Sequence, residues 1–244
     1  MTLLREGRKR ANELVLSIFV NPAQFGPNED FETYPRNLDG DLSMAEKEGV
    51  DAVFTPTARE LYGENFQTYV NLEKLPHHLC GLSRPVFFRG VATVVTKLFN
   101  IVKPHIALFG QKDFQQLAVI RQMVRDLNFD IDIIGVATVR EPDGLAMSSR
   151  NAYLSQDQRP SALSLSKSLD NAESVVKKGE TDAGKIIAHA SSLILSYPET
   201  EIDYIRICDP DTLEDVSRIT GPVLMALAVK VGTTRLIDNR VFHP

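Results

Sequence analysis

Short apolar runs and stretches of helical period alternate through the first 140 residues. Residues 14–20 (LVLSIFV) are almost continuously apolar and β-rich, and Asn21-Pro22 stops them. That pattern predicts a strand buried on both faces of a parallel sheet. Residues 38–48 predict a helix closed by Gly49, followed by a short strand at 51–54. Over 90–102 (GVATVVTKLFNIV) the β-branched residues favour a strand. Val91, Val94, Val95, Leu98, Ile101 and Val102, however, follow i, i+3, i+4, i+7 spacing. In so long a stretch period outweighs propensity, so this is a predicted helix ended by Pro104. Next come a strand at 105–109, a helix at 114–127 burying Leu117, Ile120, Met123, Val124 and Leu127, and a strand at 131–136. Strands and helices in alternation predict a doubly wound α/β domain.

After Arg150 the texture changes. Two polar helices, 156–178 and 182–196, precede strand candidates at 203–208, 223–231 and 235–237. This α+β pattern predicts a second, smaller domain, with the turn-forming cluster Glu141-Pro142-Asp143-Gly144 at the boundary. The expected division is 1–140 and 141–244.

Composition narrows the function classes. A net charge of −5 gives no basic field for nucleic acid or an anionic membrane. No apolar run approaches the roughly 20 residues that span a bilayer, and the basic first ten residues lead into no signal-type apolar region. Cys80 and Cys208 lack partners at a zinc-like spacing and read as free thiols in a reducing compartment, so a cytoplasmic location is expected. Neighbouring His77 and His78 diverge on a helix or a strand and read as surface or loop residues, not as a metal pair.

Four segments could carry chemistry. The loop from Asn21 through Gln24 to Asp30 follows the first strand, and ligands of open α/β sheets bind at such strand ends. On position alone, a ligand loop and a plain Pro/Gly/Asn turn are both open readings. The run Gly110-Gln111-Lys112-Asp113-Phe114-Gln115-Gln116 leads from a strand into a helix. Gly110 lets backbone approach a ligand, and Lys112 puts a point charge beside the positive helix end, which suits a phosphate. Asp113 and Gln116 also have capping-box spacing. Met147-Ser148-Ser149-Arg150-Asn151, at the predicted junction, offers two hydroxyls and a guanidinium for phosphate oxygens. A solvated loop with the same residues is the competing reading. Arg84 and Arg89 precede the β-branched helix and could meet phosphate or carboxylate, though exposed arginines usually do neither. No nucleophilic triad, P-loop or metal-binding helix motif is present.

With SIFVNPAQFGPNEDFETYPR, RGVATVVTKLFNIVKP, FGQKDFQQLAVIRQMVRDLN, DGLAMSSRNAYLS and GTTRLIDN in register, the chain resembles the pantothenate synthetase family, the pantoate–β-alanine ligases. The resemblance runs from about Leu3 to Asn239. It implies a Rossmann-like nucleotidyltransferase domain followed by a smaller lid-like domain, usually as a homodimer. It implies that ATP and Mg²⁺ drive condensation of pantoate with β-alanine through a pantoyl adenylate, releasing AMP and pyrophosphate. By the same likeness Gln24 would bind pantoate and β-alanine, Gln116 would bind pantoate, and Asn21 would support the pocket. Gly110, Gln111, Lys112 and Asp113 would line ATP, with Val139 near the adenine and Met147, Ser148, Ser149 and Arg150 on the phosphates. Lys112, Ser148, Ser149 and Arg150 would act in catalysis, and Asp41 would lie by the magnesium. Both substrates of the first step are anions, so positioning and charge neutralisation should dominate. Neutral glutamines can hold the attacking acid without draining its nucleophilicity.

The chain departs from the family pattern in places. The family opens with a strand and a His-x-Gly-His segment; Met1 falls just after the second histidine, so the catalytic histidine has no counterpart and the first domain is expected to be incomplete. The natural protein is then expected to be longer; the rival expectation is a non-catalytic relative that binds nucleotide or pantoate. A nucleotidyltransferase that stops at a nucleotidyl product is a third reading. Val86-Phe87 stands where Gly-His is common, Cys80 where an acid is usual, Gln111 for Glu and Phe114 for Tyr.

Overall fold

Parallel pairing organises the first part of the chain and antiparallel pairing the last. The structure, a computed structural model, describes residues 1–27 and 29–244, so Asn28 of the loop after the first strand lies outside it. The chain divides into two compact units. The first comprises Met1–His77, Gly81–Gln111 and Gln116–Ala137; the second comprises His78–Cys80, Lys112–Gln115 and Thr138–Pro244. The fold class is the expected one: α/β with parallel strands and helices, then a smaller part with an antiparallel sheet.

In the first unit, α1 (Thr2–Arg8) precedes β1 (Val15–Ser17), which pairs in parallel with β2 (Ala52–Phe54). Between them lie a 3-10 turn, Pro22–Gln24, and α2 (Leu38–Lys47). β1 is shorter than the seven-residue strand expected, and Val15 is 38 % exposed instead of buried on both faces. At the carboxyl end of β1 the partner sets the length: β2 ends at Phe54, before Thr55-Pro56, where proline has no N–H for the ladder. Among the described residues β1 pairs with β2 alone.

Helix α3 (Ala58–Tyr62) starts at a capping box. Glu60 N–H donates to the Thr57 hydroxyl, and the Thr57 N–H donates to the Glu60 carboxylate at 2.7 Å. A short helix, α4 (Cys80–Ser83), comes before α5 (Phe87–Val102), where period indeed prevails over β propensity. α5 buries Phe88, Val91, Ala92, Val94, Val95 and Phe99. β3 (Ile106–Gly110) then pairs in parallel with β4 (Asp132–Val136), and α6 (Phe114–Asp126) joins them through a 3-10 turn, Gln111–Asp113. α6 buries Leu117, Ile120, Met123 and Val124 as expected, but Leu127 is 47 % exposed. It lies past the helix end, where left-handed Asn128 (φ 54°) reverses the chain and the Phe129 N–H returns to the Val124 carbonyl.

The second unit packs α7 (Arg159–Ala162), α8 (Ser164–Lys177) and α9 (Ala183–Leu195) with the antiparallel sheet β5 (Thr200–Cys208), β6 (Val223–Val231), β7 (Thr234–Phe242). Its core joins Leu165, Leu169, Ile186 and Ile194 of the helices to Met225, Leu227 and Val229 of β6. The helices are less polar in effect than their composition suggests. Ser164 and Ser168 are buried because each hydroxyl donates to a carbonyl three residues back, at 2.6 and 2.8 Å. β7 runs well beyond the three residues expected, since its charged members are paired: Asp238 with Arg140, and Arg240 with Glu173.

Candidate functional site

Within the first unit, the chain leaves the carboxyl end of β1 and turns sharply at Asn21. Asn21 is 2 % exposed, and its Oδ1 accepts from the Ala23 N–H at 3.2 Å, capping the 3-10 turn. Its Nδ2 donates to the Gly90 carbonyl at 3.2 Å and to Gln24 Oε1 at 2.8 Å. The Tyr62 hydroxyl donates to the same Asn21 Oδ1 at 2.6 Å. Gly90 is what lets α5 lie against this turn: a Cβ there would sit 2.2 Å from the Ala23 carbonyl oxygen. Arg84 fastens the loop further along. Its Nε donates to Glu29 at 2.7 Å and its Nη2 to the Gln24 carbonyl at 3.1 Å, while the guanidinium stacks 3.9 Å from the Phe87 ring centre. Arg84 therefore does meet a carboxylate, one of the protein's own, and Phe87 of the unusual Val86-Phe87 pair supports it.

At the carboxyl end of β3, Gly110 has an ordinary negative φ, and a Cβ added there would meet nothing within 4 Å. Among the described residues no packing contact or positive φ calls for glycine at this position. Gln111 follows in the 3-10 turn, and Gln116, half-buried, lies in the first turn of α6. The 3-10 turn Gln111–Asp113 runs directly into α6. Asp41 sits in the first turn of α2, and among the described residues no group of three or more His, Cys, Asp or Glu side chains could hold a metal.

In the second unit, the Lys112 carbonyl accepts from Asn239 Nδ2 at 2.8 Å, and its ammonium forms no ion pair among the described residues. Val139 and Met147 face each other across a tight hairpin. The Met147 N–H donates to the Val139 carbonyl at 2.9 Å, Arg140 bridges to Ala146, and both apolar side chains are exposed. The hairpin is anchored by Arg140, which donates to buried Asp238 at 2.7 and 3.0 Å. Ser148 caps the 3-10 helix Ser149–Tyr153, its Oγ accepting from the Arg150 N–H at 3.3 Å, so this run is a built turn and not a plain loop. Asn151 Nδ2 donates to Glu141 at 2.6 Å and to the Ala146 carbonyl at 3.1 Å, while its buried Oδ1 has no donor among the described residues. The Asn151 amide and then the Arg159 guanidinium hold the Glu141 carboxyl below its ordinary range. Cys80 lies 3.6 Å from Arg235 Nη1, so an acid at this position would meet a guanidinium.

The sequence reading missed Tyr62 as part of this site. The Thr57-x-x-Glu60 spacing and Gly63 mark a short helix that ends on it, but nothing local says that its hydroxyl reaches Asn21.

Comparison with known proteins shows the family and the fold. Residues 1–241 match the family described as pantoate-beta-alanine ligase. The chain is 63 % identical over 244 residues to the pantothenate synthetase of Desulfatibacillum aliphaticivorans, covering all of this chain and 87 % of that one. It is 60 % identical to the Desulforapulum autotrophicum pantothenate synthetase, covering 86 % of it. The crystal structure of Thermus thermophilus pantothenate synthetase superposes with a TM-score of 0.96 at 42 % identity, covering 99 % of this chain and 88 % of that one. A Francisella tularensis pantoate-beta-alanine ligase, solved with an ATP analogue and β-alanine, is similar at a TM-score of 0.78 and 29 % identity, covering 98 % of this chain and 83 % of that one.

Proposed function

Because the chain belongs to the pantoate–β-alanine ligase family, we propose that it condenses pantoate with β-alanine at the expense of ATP. The family match over residues 1–241 carries this reading. The pantoate carboxylate attacks the α-phosphorus of ATP, forming an acyl–phosphate bond and expelling pyrophosphate. The amine of β-alanine then attacks the acyl carbon of pantoyl adenylate, loses a proton and expels AMP.

Each unit carries part of the chemistry. In the first, Gln24 and Gln116 hold the acid as neutral donors and Asn21 orients Gln24; Gly110 and Gln111 give backbone access to the nucleotide. In the second, the Lys112 ammonium and the Ser148, Ser149 and Arg150 groups meet the phosphates, where negative charge collects as pyrophosphate leaves. Asp113 is read with this group, and the exposed Val139 and Met147 side chains give the adenine an apolar face. We read residues 1–140 as the Rossmann-like nucleotide- and substrate-binding domain and 141–244 as the lid-like one. Magnesium finds no ready cage among the described residues. Mg²⁺ commonly rests on one or two carboxylates plus substrate phosphates, so Asp41 is at most a single contributor, and no step here depends on it. The buried Cys80 and Cys208, neither in a disulfide, favour a reducing compartment such as the cytoplasm, and a homodimer follows from the family likeness. No helix among the described residues is long and apolar enough to cross a membrane.

The test is AMP release from ATP and Mg²⁺. Release that requires pantoate and β-alanine together is the expected result. ATP binding without AMP, from folded protein, would overturn the ligase reading in favour of a binding protein, and a stable nucleotidyl adduct would favour a transferase.

A further inference from the structure

We infer that Tyr62 is a positioning residue: acting through Asn21, it turns the Gln24 side chain so that its amide N–H groups, not its oxygen, face the acid substrate. The inference rests on the ligase reading and adds to it a residue that touches no substrate.

The polarity of the chain of hydrogen bonds is set by backbone groups. The Ala23 N–H can only donate, and it meets Asn21 Oδ1; the Gly90 carbonyl can only accept, and it meets Asn21 Nδ2. Those two contacts determine which end of the Asn21 amide is which, whatever ends are assigned to it. Asn21 Nδ2 therefore offers its remaining hydrogen to Gln24, and Gln24 must answer with Oε1. Its Nε2 then has no partner among the described residues, and its two N–H groups are left for a ligand. An ionised carboxylate is acceptor-only, so it matches a donor and not the carbonyl end of an amide.

Tyr62 holds this arrangement from outside. Its hydroxyl makes the shortest contact to Asn21 Oδ1, 2.6 Å against 3.2 Å from Ala23. Without it, Oδ1 keeps only the longer bond and Asn21 is freer to turn. Burial pushes the Tyr62 hydroxyl up to about 12, so it stays protonated and able to donate at neutral pH. The ring itself is held independently. It ends the capped helix α3, stands 4.9 Å from Phe66 and 6.5 Å from Phe19 between ring centres, and is followed by left-handed Gly63 (φ 65°). A phenylalanine would fill the same slot, so packing alone does not require the hydroxyl.

Tyr62→Phe in the full chain separates positioning from simple structural support. Pantoate and its neutral amide, pantoamide, are titrated by calorimetry into both proteins, with thermal unfolding as the control for folding. Positioning predicts that Tyr62→Phe weakens pantoate about five- to tenfold, the value of one hydrogen bond, leaves pantoamide within twofold, and keeps the melting temperature. Equal weakening of both ligands, or no change in either, would overturn the inference, since a support role cannot distinguish a carboxylate from an amide. Wild-type protein that binds no pantoate would overturn the ligase reading and this inference with it, before the variant is compared.

Discussion

Gly90 makes the Pro22–Gln24 turn, the proposed substrate turn, possible by leaving α5 without a side chain at the contact. Its absent Cβ leaves 2.2 Å to the Ala23 carbonyl oxygen and 2.9 Å to the Gln24 nitrogen, both backbone atoms that cannot swing aside. Gly90→Ala therefore has to push the Pro22–Gln24 turn away from the helix. Overpacking of this kind costs about 1–3 kcal/mol, so urea unfolding should show a loss of that size. Pantoate KM should rise while ATP KM holds, because the displaced residues are Asn21 and Gln24. Local residue chemistry made part of this legible: Asn21-Pro22 announces a turn, and Gln24 and Gly110 stand at strand ends where ligands bind. Tyr62 was not legible, since 41 positions separate it from the Asn21 oxygen it contacts. Arg84 was noticed as a cation but not as the clamp on Glu29, for the same reason.

At the scale of elements, α5 shows how a helix end is made from an unfavourable residue. Lys103 takes the left-handed conformation (φ 51°, ψ 53°) and returns its N–H to the Phe99 carbonyl at 2.8 Å. A side chain in that region meets its own backbone, and glycine does not. The left-handed penalty of roughly 1–2 kcal/mol exceeds glycine's added entropy cost of roughly 0.5–1 kcal/mol, so Lys103→Gly should stabilise the protein by about 0.5–1 kcal/mol, read as a higher urea midpoint with unchanged slope. Helices of strong period such as α5 and α6 could be placed to within a few residues from the sequence, because i, i+3, i+4 repeats report directly on one buried face. Most strands were placed as closely, but the ends of β1 and β7 were not. β1 stops where its partner reaches Pro56, and β7 continues because distant carboxylates and guanidinia neutralise its charges; both causes lie on other elements.

For the whole molecule, ion pairs make the second unit sensitive to acid. Glu173 is held below its ordinary value of 4.5 by Lys177 first and Arg240 next, and Glu141 by Asn151 and then Arg159. A carboxyl more acidic when folded binds fewer protons than in the unfolded chain, so its contribution is present above 4.5 and lost as pH falls through the lower folded value. The melting temperature should drop steeply below pH 4.5, and Glu173→Gln should flatten that drop while lowering stability at neutral pH. A variant as acid-sensitive as the parent would exclude this pair as the cause. What the sequence determined by itself was the α/β class, the longer helices and most strands of the two parts and, through motifs in register, the family. The class and the elements follow from periodicity and residue types at neighbouring positions, which act over a few residues; the family follows from the resemblance of whole segments. Only the tertiary structure decided how long β1 and β7 run, which charges are neutralised within the protein, and which way the Gln24 amide points. Those depend on hydrogen bonds and close contacts between residues tens of positions apart, such as Tyr62 and Gly90 with Asn21, which no local pattern encodes.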